Sequence, residues 1–130
     1  MPSIFSRIIN KEFDSYIIDE DEYFIAILDI MPLREGHVLV IPKKEIDKIY
    51  DLPAIEQQKM LLFASKIAKA MEQSFHKRIG YSVIGLEVPH AHLHLIPIES
   101  AHDINFNQAK LEISKERLKE IQEKIISNLS

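Results

Sequence analysis

The segment Pro89-His90-Ala91-His92-Leu93-His94-Leu95-Ile96-Pro97-Ile98 constrains the fold more than any other. Its histidines fall on alternate positions, and small or aliphatic residues separate and follow them. A strand turns successive side chains to opposite faces. An extended chain here puts His90, His92 and His94 on one face and Ala91, Leu93 and Leu95 on the other, which suits a core. A helix would scatter the imidazoles around its circumference. The pattern predicts a strand over His90–Ile98 with one row of groups that accept, donate and attack near neutral pH.

The rest of the chain reads as elements that can build a sheet around such a strand. Ser3 is placed to cap a short helix over Ile4–Ile9. Phe13–Ile18 and Tyr23–Leu28 are β-branched and aromatic, and flank the acidic turn Asp19–Glu22. Asp29–Gly36 reads as a loop holding Pro32 and Gly36. His37–Ile41 is a third strand, stopped by Pro42. Pro53 opens a long helix to about Lys77, with Met60, Phe63, Ala64, Ile67, Met71 and Phe75 as its apolar stripe. Gly80–Gly85 is the fourth strand, joined to the fifth by Gly85–Pro89. Glu99–Ile113 is irregular or weakly helical. Ser114 caps a last helix to about Asn128, with Leu118, Ile121, Ile125 and Leu129 on one side. Strands on both sides of one long helix, with tight links, predict a single α+β domain with an antiparallel sheet.

Composition narrows the function. The 130 residues contain no cysteine, which removes disulfides and thiolate metal sites. A formal charge of −4 argues against a general nucleic-acid binder. No segment approaches a membrane span, and MPSIFSRIINKE lacks a signal-like apolar stretch, so an intracellular, cytoplasmic protein is expected. Three histidines in register invite two chemistries. One is nucleophilic or acid–base catalysis by imidazole. The other is a zinc site with an open position. Alternate residues of one strand supply two convergent nitrogens easily, but a third tends to point past the ion, so no metal or other cofactor is expected.

Gly36-His37-Val38-Leu39-Val40-Ile41-Pro42-Lys43-Lys44 and Pro89–Ile98 together resemble the histidine triad family, whose signature is His-φ-His-φ-His-φ-φ with φ apolar. Ile4–Glu12 resembles its opening segment, and Tyr23–Pro32 its strand ending in an aspartate loop. The resemblance covers residues 3–98 and adds little beyond. It implies a five-stranded antiparallel sheet with one long helix, a short N-terminal helix and a C-terminal helix, in a homodimer. It implies that His92 attacks the α-phosphorus of a nucleotide, giving a covalent nucleotidyl-imidazole that water cleaves. His94 would contact the phosphate and assist the leaving group, with His90 and His37 completing the network. Asp29 would hold the ribose hydroxyls, as a carboxylate accepts two hydrogen bonds from a vicinal diol. Ile4, Phe5, Ile8, Ile27 and Ile30 would form the purine slot. The expected substrate is therefore a purine nucleotide or nucleotide conjugate. The expected activity is that of a phosphoramidase or dinucleoside polyphosphate hydrolase.

The pattern breaks once. The family usually carries Asn and then Gly-Gln-Ser or Gly-Gln-Thr before the triad, and these groups contact phosphate. Here Tyr81–Pro89 is short, and Leu86-Glu87 stands in their place. Two other readings of the chain follow: a purine-nucleotide binding module without turnover, and, more weakly, a zinc-dependent hydrolase. Arg34, Lys43 and Lys44 are cations able to attract anions, but most such charges are simply solvated.

Overall fold

The computed structural model describes residues 2–130. Helix α1 (Ile4–Ile9) leads into β1 (Ile17–Glu20), β2 (Phe24–Leu28) and β3 (Val38–Pro42). Helix α2 (Ala54–Phe75) follows, then β4 (Arg78–Ser82), β5 (Leu93–Ile98) and α3 (Lys115–Ser127). The strands form one sheet in the order β1-β2-β3-β5-β4, and every neighbouring pair is antiparallel. This is the α+β architecture expected from the sequence.

Capping chemistry sets the helix ends. Ser3 Oγ accepts the Ser6 amide at the start of α1, and Ser114 Oγ accepts the Arg117 amide at the start of α3. Pro53 sits at the N-cap of α2, where its missing N–H costs nothing. Helix α2 stops at Phe75 because His76 adopts the left-handed conformation and its amide bonds Glu72 O.

The second and third strands differ from the sequence reading by one residue, Pro42 ending the third from inside the ladder opposite Phe24, and three others differ by more. The first strand is Ile17–Glu20, so Asp19 and Glu20 belong to the ladder, and a register shift lies between Ile17 and Asp19. The fourth is Arg78–Ser82. The fifth begins at Leu93, leaving His90 and His92 in an extended lead-in. The Ala91 amide there bonds Ile46 O in the loop after β3, so this stretch pairs with a loop rather than a strand.

The sheet separates two apolar layers. Phe24, Ala26, Leu28, Val38, Val40, Leu93 and Leu95 face α2 and α3, meeting Met60, Phe63, Ile67, Met71, Leu118, Ile121 and Ile125. Ile25, Ile27, Leu39 and Ile41 form a smaller cluster with Phe5 of α1. Strands β2 and β3 are buried on both faces, so they read as unbroken apolar runs. His94 pairs with Leu39 in register, which puts the imidazole row on the α1 side. Gly36 makes the entry to β3 possible. Its φ is +90°, and a Cβ there would lie 2.5 Å from Phe75 Cε2 at the end of α2.

Candidate functional site

The four histidines of the two motifs meet on the α1 side of the sheet and are nearly closed off. Exposure is 1% for His37, 0% for His90, 7% for His92 and 8% for His94. Buried imidazoles require partners, and each one has them.

The hydrogen bonds set the tautomers. The Leu33 amide donates to His37 Nδ1 at 3.1 Å. His37 therefore carries its proton on Nε2, which donates to His94 Nδ1 at 2.9 Å. His94 in turn carries its proton on Nε2. His90 Nε2–H donates to Pro42 O at 2.7 Å, and its Nδ1 accepts Ser3 Oγ–H at 2.7 Å. His92 Nδ1–H donates to the His90 carbonyl at 2.8 Å. That leaves the His92 Nε2 lone pair and the His94 Nε2–H without protein partners. Among the described residues no buried side-chain nitrogen lacks a partner, so both atoms are open to solvent.

A second network supports the first. Glu45 Oε1 accepts the Ser3 amide and Ser6 Oγ–H, while Ser3 Oγ reaches His90. Helix α1 is thereby tied to the first histidine of the row. Those bonds hold the Glu45 carboxyl below the usual carboxylate range.

Burial pushes the His37 pKa down to about 3 and that of His94 to about 4, assisted by neighbouring imidazoles and Lys110. Burial also lowers that of His90. These three rings are neutral at pH 7. Asp29 is shifted upward by burial, opposed by the Met31 amide bond and by Lys110.

His92 and His94 open on a cavity of about 380 Å³. Asp29 lines it beyond His37: its Oδ1 accepts the Met31 amide at 2.9 Å, and its Oδ2 lies 3.8 Å from His37 Nε2. Two phenyl rings flank the histidines edge-on. Phe5 stands 4.9 Å from His92, and Phe106 stands 4.7 Å from His94, between ring centres.

The sequence-expected residues are distributed unevenly. His37, His92, His94, Asp29 and Phe5 line the cavity, and His90 lies directly behind it. Ile8 and Ile27 pack with Phe5 in the small cluster. Ile4 and Ile30 are 45% and 59% exposed, and the apolar wall is completed by Leu33, Leu39 and Val88. Arg34 pairs with Asp103, Lys43 with Glu20 and Lys44 with Glu56, so none of the three faces the cavity. Glu87 does line it. So do Phe106 and Lys110, which sequence reasoning did not single out. Phe106 is the only Phe, Tyr or Trp after Ile98, the one signal in the sequence that could have drawn attention to it.

His90 spends both nitrogens on protein groups and His92 one, so the alternate histidines do not converge on an ion. The convergent donors are instead Asp29, His37 and His94, whose ligand atoms lie within 4.8 Å of one another. A metal there would displace the His37–His94 hydrogen bond and the proton it carries, so this donor set does not fit a resident ion without rearrangement.

Comparison with known proteins agrees with this geometry. An uncharacterized HIT-like protein of Borreliella burgdorferi is 35% identical, covering 97% of each chain. The purine nucleoside phosphoramidase of Escherichia coli is 35% identical over 72% of this chain and 85% of its own length. The crystal structure of a Hit-like protein involved in cell-cycle regulation from Bartonella henselae superposes with a TM-score of 0.84 at 32% identity, covering 98% of this chain and 96% of that one. No helix among the described residues is long and apolar enough to cross a membrane. The HIT domain family model matches residues 10–101, and the chain belongs to the HIT, or histidine triad, family.

Proposed function

We propose that this protein is a cytoplasmic nucleotide hydrolase that cleaves a phosphoramidate or phosphoanhydride at the α-phosphorus through nucleotidyl-His92. One observation carries this reading: the bond from His92 Nδ1–H to the His90 carbonyl leaves the Nε2 lone pair facing the cavity. Phosphoramidase relatives such as that of E. coli support the substrate class.

His92 Nε2 forms a bond to phosphorus as the bond to the leaving nitrogen or oxygen breaks. The electron pair departs with the leaving group, which takes its proton from solvent. The imidazolium so formed is stabilised by the His90 carbonyl, because a hydrogen bond strengthens as its donor becomes charged. His94 Nε2–H hydrogen-bonds the phosphoryl or leaving atom. Water then attacks the same phosphorus and gives up a proton to solvent, the N–P pair returns to Nε2, and a nucleoside monophosphate leaves. Asp29 takes the ribose hydroxyls, and Phe5 with the adjoining aliphatic wall takes the purine.

The functional unit in this reading is a homodimer with a joined sheet. Strand β4 ends the sheet, and its Tyr81 and the following Val83 and Ile84 are exposed. Sedimentation checks this, and a monomer at every concentration overturns it.

The deciding experiment mixes the protein with an adenylyl phosphoramidate, quenches in base and weighs the intact chain. A nucleotidyl adduct that maps to His92 is expected. Nucleotide binding with neither adduct nor turnover favours the binding module that the Leu86-Glu87 departure suggests.

A further inference from the structure

We propose that Lys110 is the phosphate-binding residue of this site, contributed by a segment beyond the matched family region, in place of the phosphate contacts that Leu86-Glu87 displaces. This deepens the nucleotide reading and rests on it for the identity of the ligand.

The charge balance of the cavity motivates the assignment. Asp29 and Glu87 line it with carboxylates, and His37 and His94 are neutral. Among the described residues, Lys110 is the single lysine or arginine that lines it. A phosphoryl dianion entering without it would meet two like charges in a partly enclosed space, where repulsion is less screened than in bulk water. Arg34 is paired with Asp103, and Lys43 and Lys44 line a separate pocket, where they pair with Glu20 and Glu56. Lys110 lines the cavity together with Asp29, His37 and His94 and is itself exposed to solvent, so its flexible side chain is free to meet an entering anion.

The backbone under Lys110 is built to hold that position. The Arg34 guanidinium bonds Asp103 at 2.7 Å, Gln108 at 3.1 Å and the Leu33 carbonyl at 2.6 Å. Gln108 bonds back to the His102 and Asp103 carbonyls. The Leu111 amide donates to Pro32 O at 2.8 Å. Residues 102–111 are thus laced to the loop that carries Asp29, and Phe106 closes against His94. Lys110 stands between two of these anchors, Gln108 and Leu111.

Calorimetry with three probes tests the assignment on wild type, Lys110→Met, Lys110→Arg and the control Lys115→Met. The probes are adenosine 5′-monophosphate, adenosine and inorganic pyrophosphate. Lys110→Met is expected to weaken monophosphate and pyrophosphate about tenfold and to flatten their salt dependence, with adenosine affected less than about twofold. Lys110→Arg restores most of the loss, and Lys115→Met changes nothing. Equal losses for adenosine and its monophosphate, or losses under twofold for both anions, overturn the assignment. If wild type binds pyrophosphate through Lys110 but neither adenosine ligand, the anion site stands and the nucleotide reading falls. If wild type binds none of the three, both fall.

Discussion

His92 Nδ1 lies 2.8 Å from the carbonyl oxygen of His90, two residues back in the same extended segment. A backbone acceptor this close fixes one tautomer without help from a carboxylate. His92→Ala should abolish turnover and adduct formation yet leave nucleotide monophosphate affinity within about tenfold, because a neutral imidazole adds little more than one hydrogen bond to binding. Single-turnover kinetics beside equilibrium binding separates the two. Residual turnover in the variant moves the nucleophile elsewhere.

Asp29 has two oxygens with different duties. Oδ1 accepts the Met31 amide in the loop, and Oδ2 lies 3.8 Å from His37 Nε2. Asp29→Asn keeps the loop acceptor and loses a carboxylate for the diol. Ribonucleotide affinity should drop about tenfold and deoxynucleotide affinity under about threefold, consistent with the loss of a charge-assisted hydrogen bond. Equal losses remove Asp29 from ribose recognition.

Much of this site was legible in the sequence because the strand period alone puts His92 and His94 on one face, and the fourth histidine, His37, stands at the entry to the adjoining strand β3. Both serine caps were legible for the same local reason. The strand start at Leu93 was not, since it depends on Ala91 pairing with Ile46, across 45 residues. Lys110 and Phe106 were hidden more deeply. Their segment has no periodicity, and its position comes from Arg34 reaching Asp103, 69 residues away. Ile4, Ile8, Ile27 and Ile30 show the converse: none of the four lines the cavity, so apolar identity places a residue near a slot without deciding that it lines one.

The neutral imidazoles make stability depend on acid. His37 and His94 titrate near 3 and 4 when folded and near 6.5 when unfolded. Their contribution is complete above about pH 6.5 and is lost as pH falls toward 4, because the unfolded chain then binds protons the folded chain refuses. Each site removes up to about 1.4 kcal/mol per pH unit in that window. Thermal unfolding of wild type should steepen below pH 6.5, and His37→Gln should flatten the decline even if the variant is less stable at pH 7. An unchanged slope would show that His37 is not held neutral.

Gly36 tests the join between the Asp29 loop and α2. Gly36→Ala places a methyl 2.5 Å from the Phe75 ring at a φ of +90°. The combined strain and overpacking should cost about 2–4 kcal/mol. Gly85 is also at positive φ, but a methyl there would meet nothing within 4 Å, so it should tolerate alanine at about 1 kcal/mol. Denaturant midpoints for the two variants check the difference, and similar values would mean that Phe75 yields freely.

Glu87 and Lys110 line the same cavity with opposite charges, and their balance sets the leaving group. A polyphosphate leaving group adds negative charge in a space that Glu87 already makes negative, whereas an amine leaving group adds none. Phosphoramidates should therefore be cleaved better than diadenosine polyphosphates. Glu87→Thr removes the repulsion and restores a hydroxyl of the family kind, so polyphosphate hydrolysis should rise selectively, by roughly tenfold, since one close like-charge contact is worth on the order of one kcal/mol in a wet site. Glu87 is exposed as well as cavity-lining, and high salt should shrink the gain by screening it. Measuring kcat/KM for both substrate classes with wild type and Glu87→Thr at two ionic strengths decides the matter: a parallel change in both classes, or none, removes Glu87 from leaving-group selection.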